Sequence, residues 1–116
     1  MLRKGLFVFP VLVLSMMCLL PLVFAKEAYV IGVTMAVTGP GSETYAPIKD
    51  ALDIYFKEVN ARGGINGRPV EIIIEDNANQ PSKAAAQAKK LVTQDNVVLT
   101  VLASLSSTYA PVVEVA

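Results

Sequence analysis

Glu58-Val59-Asn60-Ala61-Arg62-Gly63-Gly64-Ile65-Asn66-Gly67-Arg68, continued by Pro69-Val70-Glu71-Ile72-Ile73-Ile74-Glu75, is where a helix must stop and a strand must begin. Gly63 and Gly64 end the helix, because glycine enters the left-handed conformation without steric penalty. Ile65-Asn66-Gly67-Arg68 is turn chemistry, and three consecutive isoleucines within Pro69 to Glu75 read as a strand.

Upstream, from about Thr44 to Ala61, the residues Ile48, Leu52, Tyr55, Phe56 and Val59 recur at spacings of three and four and lay one apolar stripe along a helix. Ser42 or Thr44 is placed to cap its start. Before it, Glu27 to Ala36 is an apolar, β-branched run bounded by Thr-Gly-Pro-Gly, which suits a strand buried on both faces. Downstream, Asp76 to Gln80 is a polar loop whose Asp-Asn-x-Asn pattern suits local turn bonds. Pro81 opens a second helix, with Ala85, Ala88, Leu91 and Val92 turned inward and Lys83, Lys89 and Lys90 on a solvated face. Val97 to Ala103 is a third strand, and Ser104-Leu105-Ser106-Ser107-Thr108 leads into a third helix that is still apolar when the sequence stops at Ala116.

Strand alternating with helix three times implies an α/β fold, a three-layer parallel sheet with right-handed crossovers and helices on both faces. Three strands are few for that architecture, so the sequence reads as part of a larger lobe.

Residues 1–25 have a different character. Arg3 and Lys4 precede an apolar run from Leu6 to Leu20, Pro21 breaks it, and Val23-Phe24-Ala25 offers a cleavage site, which together describe a signal peptide. The alternatives are an uncleaved membrane anchor and lipid attachment at Cys18, the latter disfavoured by Met17 where a small residue belongs. Residues 26–116 then form the exported domain. That domain has no cysteine and no histidine, which removes disulfides, thiol nucleophiles, the commonest general base and the usual zinc ligands. Ten basic and ten acidic side chains in the whole chain give no nucleic-acid footprint. A binding protein without a cofactor fits better than an enzyme.

In an open parallel α/β sheet, ligands bind beyond the carboxyl ends of the strands, where the strand order reverses. If the first strand lies between the other two, the crevice is flanked by Thr38-Gly39-Pro40-Gly41-Ser42-Glu43-Thr44-Tyr45 and by Ala103-Ser104-Leu105-Ser106-Ser107-Thr108. Each runs into a helix N-terminus, where free backbone N–H groups attract a carboxylate, and the hydroxyls of Ser42, Ser104, Ser106 and Ser107 add donors. Helix capping is the competing role for these residues. Ser106 to Thr108 supplies more hydroxyls than one cap needs, and Tyr45 offers a ring to wall a pocket.

These segments resemble the substrate-binding proteins of ABC importers for branched-chain amino acids, which have the type I periplasmic-binding fold. The resemblance rests on Thr38-Gly39-Pro40, on Glu58 to Arg68, on Glu75-Asp76-Asn77 and on Ser106-Ser107, and it runs from about Tyr29 to the end. It implies a two-lobed protein, a monomer when complete, that closes on an amino acid or similar small polar solute and delivers it to a membrane ABC permease. Only part of the first lobe is present. By position, Ser106 corresponds to the serine that meets the ligand carboxylate, with Ser107 beside it and Tyr45 as the aromatic of the first loop. Ala103-Ser104 stands where many relatives have Gly-Pro, and a cysteine pair that bridges neighbouring loops in some relatives is missing, so the solute is open among amino acids, amides, urea and aromatic acids.

Two other readings remain. The same lobe serves in some proteins as the sensor of a receptor. Gly39-Pro40-Gly41 after a strand also invites a nucleotide-binding reading, but the third glycine is missing, Pro40 lacks an N–H and no lysine follows.

Overall fold

A computed structural model describes residues 26–115; the signal peptide expected over residues 1–25 lies outside them. Within the described residues run β1 (Tyr29–Met35), α1 (Ser42–Ala61), β2 (Val70–Asp76), α2 (Pro81–Thr93), β3 (Leu99–Ala103), a 3-10 turn (Ser106–Thr108) and α3 (Tyr109–Val113). The three strands are parallel in the order β2-β1-β3, so the first strand is central and the chain reverses direction across the sheet after β2. No described helix is long and apolar enough to cross a membrane.

β1 is apolar throughout because both of its faces are covered. Gly32 and Thr34 point towards α2, where Leu91 fills the space above Gly32 and Gln87 bonds Thr34. Val33 and Met35, on the opposite pleat, are equally buried. The small residues Ala84 and Ala88 let α2 lie close to the sheet, and Val112 of α3 packs against them with Leu102 at the margin. The inward residue of the first turn is thus Ala84, one position before the expected Ala85, and Val92 is only half buried.

α1 covers β2 and buries no residue fully. Tyr45, Leu52, Phe56 and Val59 form its half-buried face, whereas Ile48 and Tyr55, expected on that stripe, lie exposed, Tyr55 at 57%. The period was right and the stripe is narrower than the count of apolar residues suggested, with the Tyr55 ring edge-on to Phe56 instead of against the sheet. The start of α1 also differs from expectation. Gly41, with φ 79°, is the cap residue, and neither Ser42 nor Thr44 makes a side-chain cap bond. The Gly41 carbonyl accepts the N–H groups of Thr44 and Tyr45 instead.

The helix-to-strand junction follows the sequence closely. Gly63 and Gly64 send their N–H groups back to the carbonyls of Asn60 and Val59, and Ile65 and Arg68 exchange N–H···O bonds of 2.8 and 2.9 Å around Asn66-Gly67, both at positive φ. Asn60 then fastens the helix to β2. Its Nδ2 donates to the Val70 carbonyl and its Oδ1 accepts the Val70 N–H, each at 2.8 Å, which satisfies the outer side of that strand residue as a neighbouring strand would. Arg68 stacks over the Tyr29 ring at 4.0 Å from its centroid and secures the other end of the junction.

Candidate functional site

The strand order places the carboxyl ends of β1, β2 and β3 along one edge, and three loops meet there. Gly41 from the first loop faces Tyr45, the Asn79 amide from the second loop and Leu105 from the third, all within 4 Å of where its side chain would begin. The expected crevice between the first and third loops therefore has the second loop beneath it.

A buried polar hub holds this edge. Asn77, fully enclosed, donates from Nδ2 to the hydroxyls of Thr34 (3.0 Å) and Ser104 (3.2 Å), and its Oδ1 accepts the Asn79 N–H at 2.9 Å. Thr34 donates to Gln87 Oε1 at 2.8 Å, and Gln87 Nε2 donates to the Asp76 carbonyl. Ser104 lies 2.7 Å from the Thr108 hydroxyl, which itself donates to the Leu105 carbonyl. Thr34, Asn77, Ser104 and Thr108 are all fully buried, and none of their side-chain polar atoms is left without a partner.

Asp76 ties the first loop to the second. Oδ1 accepts the N–H groups of Val37, Thr38 and Ala78 at 3.0–3.1 Å, and Oδ2 accepts the Thr38 hydroxyl at 2.6 Å. Burial pushes this carboxyl up, but the Thr38 hydroxyl and the three backbone N–H groups together outweigh it and hold Asp76 below the ordinary carboxylate range. A folded-state value below the unfolded one stabilises the fold above the unfolded value, and that stability is lost as pH falls through the folded one. Asp76→Asn should therefore flatten the acid side of the melting-temperature profile below about pH 4. A profile with the same slope in both proteins would remove Asp76 from the acid response.

The residues expected to meet a ligand are divided by this arrangement. Ser106 and Ser107 are exposed on the 3-10 turn, and among the described residues neither hydroxyl engages a hydrogen-bond partner. Tyr45 is half buried beside Gly41, in the first loop and the start of α1, with Leu105 of the third loop close to the same glycine. Ser42 sits in the first turn of α1, partly exposed, with its N–H bonded to Gly39. Ser104 faces inward at 0% exposure and is engaged by Asn77 and Thr108, so its hydroxyl builds the hub beneath the crevice. The third loop enters a 3-10 turn followed by the five described residues of α3, and a dipole that short adds little to the local N–H groups. The sequence assigns no site role to two contributors, Asn77 and Asn79. Their signal is the Asp-Asn-x-Asn pattern, which suits local turn bonds and does not show that the two amides also reach distant loops.

An apolar groove lies apart from this edge, lined by Thr100, Leu102, Tyr109, Val112 and Val113. It offers no charged group, which suits neither end of a zwitterion.

A sequence profile of the family described as periplasmic binding protein matches residues 28–116. The chain belongs to the periplasmic binding protein family. It is 37% identical over 60 residues to Leu/Ile/Val-binding protein homolog 1 of Brucella abortus, a match covering 52% of this chain and 16% of that relative. It is 39% identical over 59 residues to an amino acid binding protein of Pseudomonas aeruginosa, covering 51% and 16% of the two chains. The fold superposes on the branched-chain amino acid transporter substrate-binding protein LivJ of Streptococcus pneumoniae, solved in complex with isoleucine, with a TM-score of 0.71 and 28% identity over 75% of this chain and 25% of that one. An ABC transporter substrate-binding protein from Sphaerobacter thermophilus matches with a TM-score of 0.66 and 31% identity, over 75% and 23%. The chain thus spans a quarter or less of the length of these relatives. The family and the parallel α/β lobe agree with the resemblance read from Glu58 to Arg68 and its neighbours.

Proposed function

We propose that this chain supplies part of the first lobe of an extracytoplasmic solute-binding protein, the component of an ABC importer that captures an amino acid, branched-chain or similar, and presents it to a membrane permease. The observation that carries this reading is the exposed pair Ser106 and Ser107, whose hydroxyls have no hydrogen-bond partner among the described residues, at the carboxyl edge of a family lobe where Tyr45 and Leu105 both approach Gly41. Their hydroxyls and local N–H groups suit a carboxylate, the Tyr45 ring bounds the crevice, and Ser42 lies within the first turn on that side. Residues 1–25 fit a cleaved signal peptide that places the domain in the periplasm or outside the membrane. No catalytic step is part of the proposal, and a monomer matches a lobe that binds by closing on its solute.

Calorimetric titration of the protein with leucine, isoleucine, valine, aromatic acids, amides and urea tests it. One of these should bind, and Ser106→Ala should weaken that binding roughly tenfold, the scale of a hydrogen bond to a charged group. A folded protein that binds none of them, or whose binding ignores Ser106 and Ser107, contradicts the reading.

A further inference from the structure

Asn79 occupies an unusual position between the two flanks of the crevice. It sits at φ 57°, in the left-handed region that asparagine tolerates better than most residues, directly after Ala78 at φ 50°. From there its side chain reaches both ways. Nδ2 donates to the Pro40 carbonyl in the first loop, and Oδ1 accepts the Leu105 N–H at 2.7 Å in the third. Its own N–H is held by Asn77 Oδ1, which anchors the bridge on the buried hub. Pro40 is followed by Gly41, whose carbonyl receives the Thr44 and Tyr45 N–H groups, and Leu105 is followed by Ser106 and Ser107.

We infer that Asn79 is a positioning residue that clamps the first loop to the third and so sets the distance between the Tyr45 end of α1 and the Ser106-Ser107 hydroxyls. This deepens the proposed function and rests on it for its ligand. The physical ground is that one planar amide with a donor and an acceptor spans two backbones that share no other side-chain bridge among the described residues. Neither Pro40 nor Leu105 belongs to a strand, so the sheet ladder does not fix them directly. The clamp contains no sulfur and works equally in oxidising and reducing surroundings.

The two bonds are separable by substitution. Asn79→Gly keeps the positive φ without strain and removes both bonds. Asn79→Asp keeps the acceptor for Leu105 and loses the donor to Pro40. Amide hydrogen exchange of the full chain, followed by NMR, reads the result, with Val33 in the central strand reporting global opening. In Asn79→Gly the Leu105 amide should exchange roughly tenfold faster while Val33 is unchanged. In Asn79→Asp the Leu105 amide should stay protected, and the Tyr45 amide, which depends on Gly41, should quicken. Leu105 exchange that does not change in Asn79→Gly, or that rises only in step with Val33, overturns the inference, as does equal loss at Leu105 in both variants. Titration with L-isoleucine is the second arm. If it shifts the Ser106 and Ser107 amides of the unaltered chain, Asn79→Gly should weaken that binding several-fold. If isoleucine and the other solutes move nothing in the unaltered chain while the exchange pattern is as expected, the clamp stands and the solute-binding reading fails.

Discussion

Asn77→Asp should cost the fold about 3–5 kcal/mol at pH 7, the scale of an uncompensated buried charge, and should recover part of that loss below about pH 4. The change is isosteric, so the effect comes from the lost amide hydrogens and the charge that replaces them. Thr34 spends its one hydroxyl hydrogen on Gln87, and Thr108 spends its own on the Leu105 carbonyl, which leaves Ser104 to donate to Thr108. Thr34 and Ser104 therefore both present lone pairs to Asn77 Nδ2, and a carboxylate oxygen there would meet two acceptors in a site without solvent. Burial and those lone pairs raise the folded-state value of the introduced carboxyl above its unfolded value. The penalty consequently grows as pH climbs past the unfolded value and shrinks below it, where the protonated group regains one donor. Chemical denaturation of both proteins at neutral and acid pH measures the difference directly. A stability loss that is the same at both pH values would remove the charge argument and leave only a lost hydrogen bond.

Gly64→Ala should destabilise by about 2–4 kcal/mol, and Gly63→Ala by about 1–2 kcal/mol. The two residues are neighbours, both at positive φ (73° and 98°), and they differ in what surrounds them. A side-chain carbon on Gly64 would lie 1.9 Å from the Arg68 carbonyl oxygen and 2.6 Å from its carbon, all of it backbone that the Ile65–Arg68 turn holds in place. Nothing lies within 4 Å of the same position on Gly63. The Gly63 variant therefore isolates the cost of the left-handed backbone, and the excess in the Gly64 variant is the cost of moving the turn that delivers β2 to the sheet. Equal denaturation midpoints for the two variants would show that the turn yields freely.

The elements are legible because they rest on local rules that agree with one another, whereas the strand order is set by pairings between residues far apart in sequence. The paired glycines and Asn66-Gly67 set one turn, the isoleucine run set one strand, and Pro81 set one helix start to the residue. What escaped was decided by groups far apart in sequence. Ser104 reads as one of several loop hydroxyls until Asn77 and Thr108 are found against it, and nothing in a linear sequence says which serine turns inward. The choice between Ser42 and Thr44 as a cap failed for a similar reason, since Gly41 at positive φ aims its own carbonyl at the helix start. The stripe on α1 overcounts because Tyr55 has the spacing of a core residue, yet its ring lies exposed and edge-on to Phe56. For the candidate site, the two flanking loops and the Ser106-Ser107 pair can be proposed from the sequence, whereas the bridge that Asn79 makes between those loops depends on contacts distant in sequence.

The central strand comes first in the chain, and this orders events in time. Tyr29 waits for Val70 across α1, and Ile31 waits for Leu99 across α1, β2 and α2, so every strand pairing in this sheet closes over at least one whole helix. Closing such long loops before any ladder bond forms makes for slow folding, and the rate should respond to changes in β3 as well as in β1. Until β3 arrives, the apolar run from Tyr29 to Met35 is unpaired on at least one side, and any factor that captures extended apolar segments has its longest opportunity there.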